Sequence, residues 1–490
     1  MDFFDPKKKR ALTFRLYLGY VLMGIALLIG TVIIWYQTYG YDIDRQTGAV
    51  IQKGLVFVDA HPESATIFLN NKNKGQTGSR LTPVAGRYTL ELKRSGYRSW
   101  RHDFELYGGT IERFVYPFLF PDKLITSEKQ TYISSPPLVT ASPDRHWLIV
   151  EKPGSLIDFD VLDMTNPSAK IVPITLPADV LTPSKDEQHM ELVEWSTDNR
   201  HVLLKHVFGS ESEYVLLDRD TPLRSLNISK VFRLKATTVS LRNKKSDQFY
   251  FYTADGGILQ TADLKSNSMS PLLTKVLAYR SHGSNTLLYV TDASSTLGKV
   301  KVRIRDNNKD YTLKELLVDD TYLLALAQFN EKWYIAAGAS SEGKISIYQN
   351  PADVLQKIPS IAVKPISTLR VDKPTNISFS INARFIMAQN GSSFAVYDAE
   401  RDRQYRYNTG FVLAAGQKAS WMDGHRIVYA SNGSVVVVDF DGTNQQTLSP
   451  AKDGYDVFFD SDYKAFYTVS SSKVTAGADA VLRTELVGSH

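Results

Sequence analysis

Cysteine does not occur among the 490 residues. Its absence excludes disulfides, thiolate nucleophiles, iron–sulfur clusters and cysteine-ligated zinc together. It also excludes acylation at a lipoprotein cysteine, so membrane attachment has to come from the chain itself. Excess charge is scarce too. A formal net charge of +5 is small for this length and offers no concentrated basic face of the kind nucleic acid requires, so nucleic acid is not among the expected partners. The nine histidines are scattered, with no HExxH pair and no close His/Asp set. There is no Gly-x-Ser-x-Gly elbow, no P-loop and no dinucleotide fingerprint. The expectation is a chain without catalytic residues, without a metal site and without a cofactor. Beyond Tyr132 no amphipathic helix of ordinary length stands out.

What is present begins with one long apolar run. From Leu16 to Trp35 no side chain is charged. At about 1.5 Å per residue such a helix spans roughly 30 Å, the thickness of a bilayer's hydrocarbon core. Lys7, Lys8, Lys9, Arg10 and Arg15 precede it, and Trp35, Tyr36, Tyr39 and Tyr41 follow. Cations stay on the cytoplasmic side and aromatics collect at the interface. The expected topology is a basic cytoplasmic tail (1–15), a single span (16–36) and everything after it extracytoplasmic. A cleaved signal peptide has a shorter apolar core ending in small residues; here the run ends in Trp35-Tyr36-Gln37-Thr38-Tyr39.

Residues 37–53 are polar and Gly-containing, as a linker would be. Strand patterning then starts. Leu55-Val56-Phe57-Val58 and Thr66-Ile67-Phe68-Leu69 are short apolar runs, and Tyr88, Leu90 and Leu92 alternate with Thr89, Glu91 and Lys93. Several short strands in about seventy residues suit a small β-sandwich. His61-Pro62-Glu63-Ser64-Ala65 is followed by Lys74-Gly75-Gln76-Thr77, Ala85-Gly86-Arg87-Tyr88 and Lys93-Arg94-Ser95-Gly96-Tyr97. In order and spacing this stretch, roughly 54–117, resembles the PEGA domain, a β-sandwich module of bacterial and archaeal envelope proteins. Ser64 stands where that signature has Gly, and Ala85 where it usually has Pro. The resemblance implies a fold and an envelope setting, with no active site. The sandwich is expected over 54–121. Its cations Arg87, Lys93, Arg94, Arg98 and Arg101 suggest contact with anionic lipid heads or wall polymer; a solvated strand face is the plainer reading.

After residue 121 a pair of strands recurs. Runs at 147–150, 202–205, 249–252, 287–290, 333–336, 385–388, 427–430 and 465–469 each follow a polar turn. Their spacing averages about 45 residues, close to that of four-stranded propeller blades. A lone blade cannot bury both faces of its sheet, whereas blades stacked around an axis do. The units resemble the WD40-like propellers of TolB-type proteins, in which a Ser-Pro-Asp-Gly turn precedes an apolar strand and a later strand ends in Asp. Ser142-Pro143-Asp144 and Val437-Val438-Asp439 fit best; the stretch 239–320 fits poorly. The expected fold is all-β behind one transmembrane helix, with a propeller over 122–490. Eight blades are expected, with seven the alternative. The last unit lacks an evident fourth strand, which the segment around Thr131–Ser134 is expected to supply, latching the ring.

Two acidic loops, Asp306-x-Asn308-x-Asp310 and Asp439-x-Asp441-Gly442-x-Asn444, alternate oxygen ligands as calcium loops do, but neither has the downstream Glu. The function expected from these parts is a membrane-anchored, outward-facing envelope protein that binds or scaffolds protein or cell-wall partners without catalysis. The alternative is a propeller-type glycosidase or lyase acting on cell-wall polymer, which would need acidic groups converging on the axis.

Overall fold

The computed structural model describes residues 6–43, 48–359, 361–414 and 416–487. An α-helix runs over Pro6–Thr38, so the apolar span continues one helix begun in the basic tail. Lys7 and Lys8 lie outside the described side chains. The stretch from Lys9 to Thr38 is long and apolar enough to cross a membrane, and its most apolar window is not buried by the rest of the described chain. Its hydroxyls stay satisfied in a setting without water: Thr31 Oγ1 donates to the Leu27 carbonyl at 2.8 Å and Thr38 Oγ1 to that of Ile34 at 2.7 Å.

The stretch expected as a linker is partly ordered strand. Tyr41–Ile43 pairs antiparallel with Val50–Gln52, the connecting residues 44–47 lying outside the described part. Lys53 N–H donates to the Gly40 carbonyl at 2.7 Å and Gly109 N–H to that of Lys53 at 2.9 Å. Backbone pairing thus carries the chain from the helix end into the sandwich, a feature that polar composition alone does not reveal.

The sandwich has two sheets. Ser79–Leu81, Leu55–Val58 and Ile111–Phe114 form one, the last two strands parallel. Lys72–Gln76, Thr66–Leu69, Gly86–Lys93 and Trp100–Leu106 form the other. Alternation puts Val56, Val58, Ile67, Leu69, Leu90, Leu92, Trp100 and Phe114 into one core. Ser64, which stands where the signature has Gly, adopts φ +64°, the left-handed region that glycine favours.

Residues 124–487 form a separate compact unit of eight four-stranded antiparallel sheets, numbered here as blades 1 to 8 from the sheet that starts at Val139–Ala141. The first strands of blades 2 and 3, 4 and 5, and 5 and 6 lie against one another, which puts the first strand of each sheet at the axis. Hydrogen bonds tie each blade to the next. Trp195 Nε1 donates to Thr140 Oγ1 (2.9 Å, blades 2 and 1), Tyr214 OH to the Thr237 carbonyl (2.8 Å, blades 2 and 3), and Lys314 Nζ to Ser346 Oγ (3.0 Å, blades 4 and 5). Trp421 Nε1 donates to Ser378 Oγ (3.1 Å, blades 7 and 6), and Tyr467 OH to the Met164 carbonyl (3.1 Å, blades 8 and 1). Apolar layers fill the interfaces between successive blades from 1 to 6, and the layer joining blade 8 to blade 1 closes the ring.

Blade 8 takes its outer strand from the start of the unit. Thr126–Tyr132 pairs with Asp479–Glu485, a few residues earlier than the expected segment around Thr131. Tyr132 OH then donates to Asp160 Oδ2 of blade 1 at 3.0 Å.

The recurring Asp residues are structural. Asp218 Oδ1, at the end of a third strand, accepts from Thr221 N–H at 3.0 Å, and Asp398 Oδ1 from Glu400 N–H at 2.9 Å. Each also receives a forked arginine: Arg200 Nε reaches Asp218 Oδ1 at 2.7 Å, and Arg384 Nε reaches Asp398 Oδ1 at 2.9 Å. Such Asx turns fix the loop that leads to the outer strand.

Candidate functional site

The first strands of blades 2 to 5 leave an open cleft of about 420 Å³ on the axis. Blade 2 contributes Val193 and Glu194 from Gln188–Trp195, and blade 3 contributes Ser240 and Leu241 from Thr238–Leu241. Blade 4 contributes Tyr279, Arg280 and Ser281 from Val276–His282, and blade 5 contributes Tyr322 and Leu324 from Tyr322–Phe329. Each of these strands ends its sheet, so a row of backbone groups without a neighbouring strand accompanies the side chains.

The polar groups here have unequal duties. Tyr279 OH and Ser240 Oγ share a hydrogen bond of 2.8 Å between blades 4 and 3, and burial pushes the Tyr279 phenol up to about 12. Tyr252 OH donates to the Val276 carbonyl at 2.9 Å. Glu194 is held by the backbone N–H of Leu241 and by the Lys244 ammonium. Arg280 is exposed and makes no ion pair among the described residues. The cleft therefore offers one free guanidinium beside three tyrosine rings, and its single acidic side chain is already neutralised. Paired carboxylates, the equipment of glycoside cleavage, are absent from its lining.

The cations singled out in the sandwich are interleaved with acidic side chains. Gly86–Lys93 and Trp100–Leu106 pair so that Arg87 lies opposite Glu105, Thr89 opposite Asp103 and Glu91 opposite Arg101. Arg87 Nε is 3.9 Å from Glu105, Lys93 Nζ is 3.0 Å from Glu91 and Arg101 is 3.9 Å from Asp103. Arg94 lies off that strand face, donating to the Glu63 carbonyl and lying 5.2 Å from the Tyr97 ring. Arg98 N–H bonds to the Phe120 carbonyl at 2.8 Å. Acidic residues of the same two strands, Glu91, Asp103 and Glu105, thus alternate with the basic ones, Lys93 and Arg101 pairing within their own strand and Arg87 across to its neighbour.

The two acidic loops spend their oxygens on protein donors. Asp310 takes Arg305 Nη1 at 2.8 Å and Tyr289 OH at 2.9 Å. Asp441 Oδ1 accepts from Thr443 N–H at 3.0 Å, and Asn444 Nδ2 donates to Asp439 Oδ2 at 2.9 Å. Among the described residues no cluster of His, Asp and Glu is arranged to hold a metal ion. Most of the cleft residues, from Val239 to Ser281, escaped the sequence reading because they fall in the stretch where the blade pattern is weakest. The available signal was Tyr279 and Arg280, bulky groups on a first strand.

Residues 53–116 match the family model of the PEGA domain. No curated protein matches the chain. Among solved structures the propeller unit is similar to dipeptidyl peptidase 4 of Porphyromonas gingivalis, at 13% identity and TM-score 0.45, over 71% of this chain and 57% of that one. It is similar to the Dos1 propeller at 12% identity and TM-score 0.43, over 74% and 95%. An oligogalacturonate lyase of Vibrio parahaemolyticus matches at 10% identity and TM-score 0.38, over 74% and 97%. Likenesses this remote concern the fold alone.

Proposed function

We propose that this chain, a PEGA domain and an eight-bladed propeller behind one apolar helix, is a membrane-anchored envelope protein that binds protein or cell-wall partners outside the membrane and does no chemistry on them. The observation that carries the reading is the axial cleft. It combines aromatic rings, open strand edges and the free Arg280 guanidinium, a set that recognises an extended chain bearing carbonyl or acidic groups. It lacks a pair of free carboxylates. Outward orientation follows from Lys9, Arg10 and Arg15 before the span. The Ser-Pro-Asp turn and the Asp-ended third strands support a TolB-like origin for the blades.

The test has two arms. Protease added to intact spheroplasts should degrade the propeller; survival until lysis would reverse the orientation. The full-length protein in detergent should retain solubilised envelope or wall material and leave it uncut. Arg280→Glu combined with Tyr322→Ala should abolish retention, whereas hydrolysis that disappears on Glu194→Gln would establish the enzyme instead.

A further inference from the structure

A second cavity, of about 210 Å³, lies between blades 3 and 4 and shares no lining residue with the axial cleft. Strand alternation explains its character. In Lys299–Asp306, the third strand of blade 4, Val300, Val302 and Ile304 pack in the layer shared with blade 5. Arg303 and Arg305 therefore face blade 3. Blade 3 answers with Arg242, from the turn after its first strand, and with Tyr250 and Thr261.

The charges in this interface do not balance. Arg305 pairs with Asp310 at 2.8 Å. Arg303 reaches the Asp310 backbone carbonyl, at 3.5 Å, and Arg242 reaches that of Ser284, at 3.2 Å, and the neutral Tyr250 hydroxyl. Neither makes an ion pair among the described residues. All three arginines hold a buried Nε–H with no protein acceptor. Three guanidiniums thus face one carboxylate, and no acidic side chain lines the cavity. Water can accept a hydrogen bond there but cannot neutralise the charge, and uncompensated charge in a partly buried site is costly. The rest of the wall is rich in neutral donors: Tyr250 and the amides of Asn285, Asn307 and Asn308.

We propose that this cavity is a binding site for a phosphate group, held by Arg242 and Arg305 and surrounded by Tyr250, Asn285, Asn307 and Asn308. The guanidinium fork matches oxyanion geometry. A planar carboxylate is satisfied by one fork, whereas donors arriving from two blades and a loop suit a tetrahedral group. The cavity holds a phosphate with room for its substituent, so free phosphate and a phosphodiester share the same chemistry. The site is separate from the axial cleft and stands or falls independently of the role given to it.

The test is calorimetric titration of the full-length protein in detergent micelles at constant ionic strength. The probes are inorganic phosphate, glycerophosphodiester and acetate. Saturable binding of one phosphate or one phosphodiester per chain is expected, the tighter of the two naming the source. Acetate should bind about tenfold more weakly or worse. Arg242→Gln should weaken phosphate at least about tenfold with an unchanged melting profile, and Arg242→Lys should fall between. If Arg242→Gln does not fold, Asn308→Ala at an exposed position carries the test, with a loss of about threefold or more. No saturable phosphate or phosphodiester binding up to about 10 mM, acetate binding equal to phosphate, or undiminished affinity in a folded Arg242→Gln or in Asn308→Ala would each overturn the proposal.

Discussion

Glu151 is the sharpest single-residue anomaly. It is 1% exposed at the end of Trp147–Glu151, and its Oε2 has no protein partner. Burial pushes its carboxyl from 4.5 up to about 8. A raised carboxyl favours the fold while protonated, so its contribution is complete below pH 4.5 and is lost as pH rises toward about 8. Glu151→Gln should therefore leave stability near pH 4 almost unchanged and raise it at about pH 8.5, by on the order of 5 kcal/mol at most. Denaturant midpoints of both proteins at the two pH values check this. A wild-type midpoint that rises with pH over that window relative to the variant would show that Glu151 is ionised in the folded chain. A sequence reading passes over this residue, because a lone Glu after an apolar run looks like the exposed end of a strand.

At the scale of elements, the legible strands were the second and third of each blade. Phe385–Asn390 and Ser393–Asp398 are buried almost throughout, so they show as continuous apolar runs. First and outer strands are edges, and some are very short: Ser420–Trp421, Phe458–Phe459 and Leu226–Asn227 have two residues each. No period is visible in two residues. This is why the blades were countable while the axial cleft, made from first strands, was not. The turns between first and second strands were recognisable by Ser and Asp, yet the fourth position departs from glycine. Arg145, Asn199, Ala383 and Tyr463 occupy it at φ of 60°, 56°, 59° and 55°. Ala383 has no side-chain duty that glycine would lose, so Ala383→Gly should stabilise the protein by about 0.5–1 kcal/mol. A thermal melt showing destabilisation would mean that this turn is not left-handed.

At the scale of the whole molecule, the closure of the ring rests on one strand borrowed from the start of the unit. Thr126 and Thr484 are paired there, with their hydroxyl oxygens 3.0 Å apart. The chain has no cysteine, so Thr126→Cys with Thr484→Cys yields a disulfide that can have no competitor. Oxidation should form it readily and stabilise the propeller by roughly 2–4 kcal/mol. Failure to form, in a protein that is otherwise folded, would place the latch strand elsewhere. The sandwich illustrates the opposite limit of sequence reading. Its family was legible in short motifs, but the charge of its outer face depends on the acidic residues that share the strands, Glu91 beside Lys93 and Asp103 beside Arg101, and on the pairing that sets Glu105 opposite Arg87.

The central claim is that the axial cleft is a binding surface for an envelope partner. The most direct measurement is site-specific photo-crosslinking in living cells, with the probe placed at Arg280 in the cleft and, as a control, at Lys265 on the loop before the outer strand of blade 3. The account predicts a discrete adduct with envelope protein or wall polymer at Arg280, lost in the Tyr322→Ala background, and none at Lys265. Equal labelling at both positions, or labelling at neither, would contradict it.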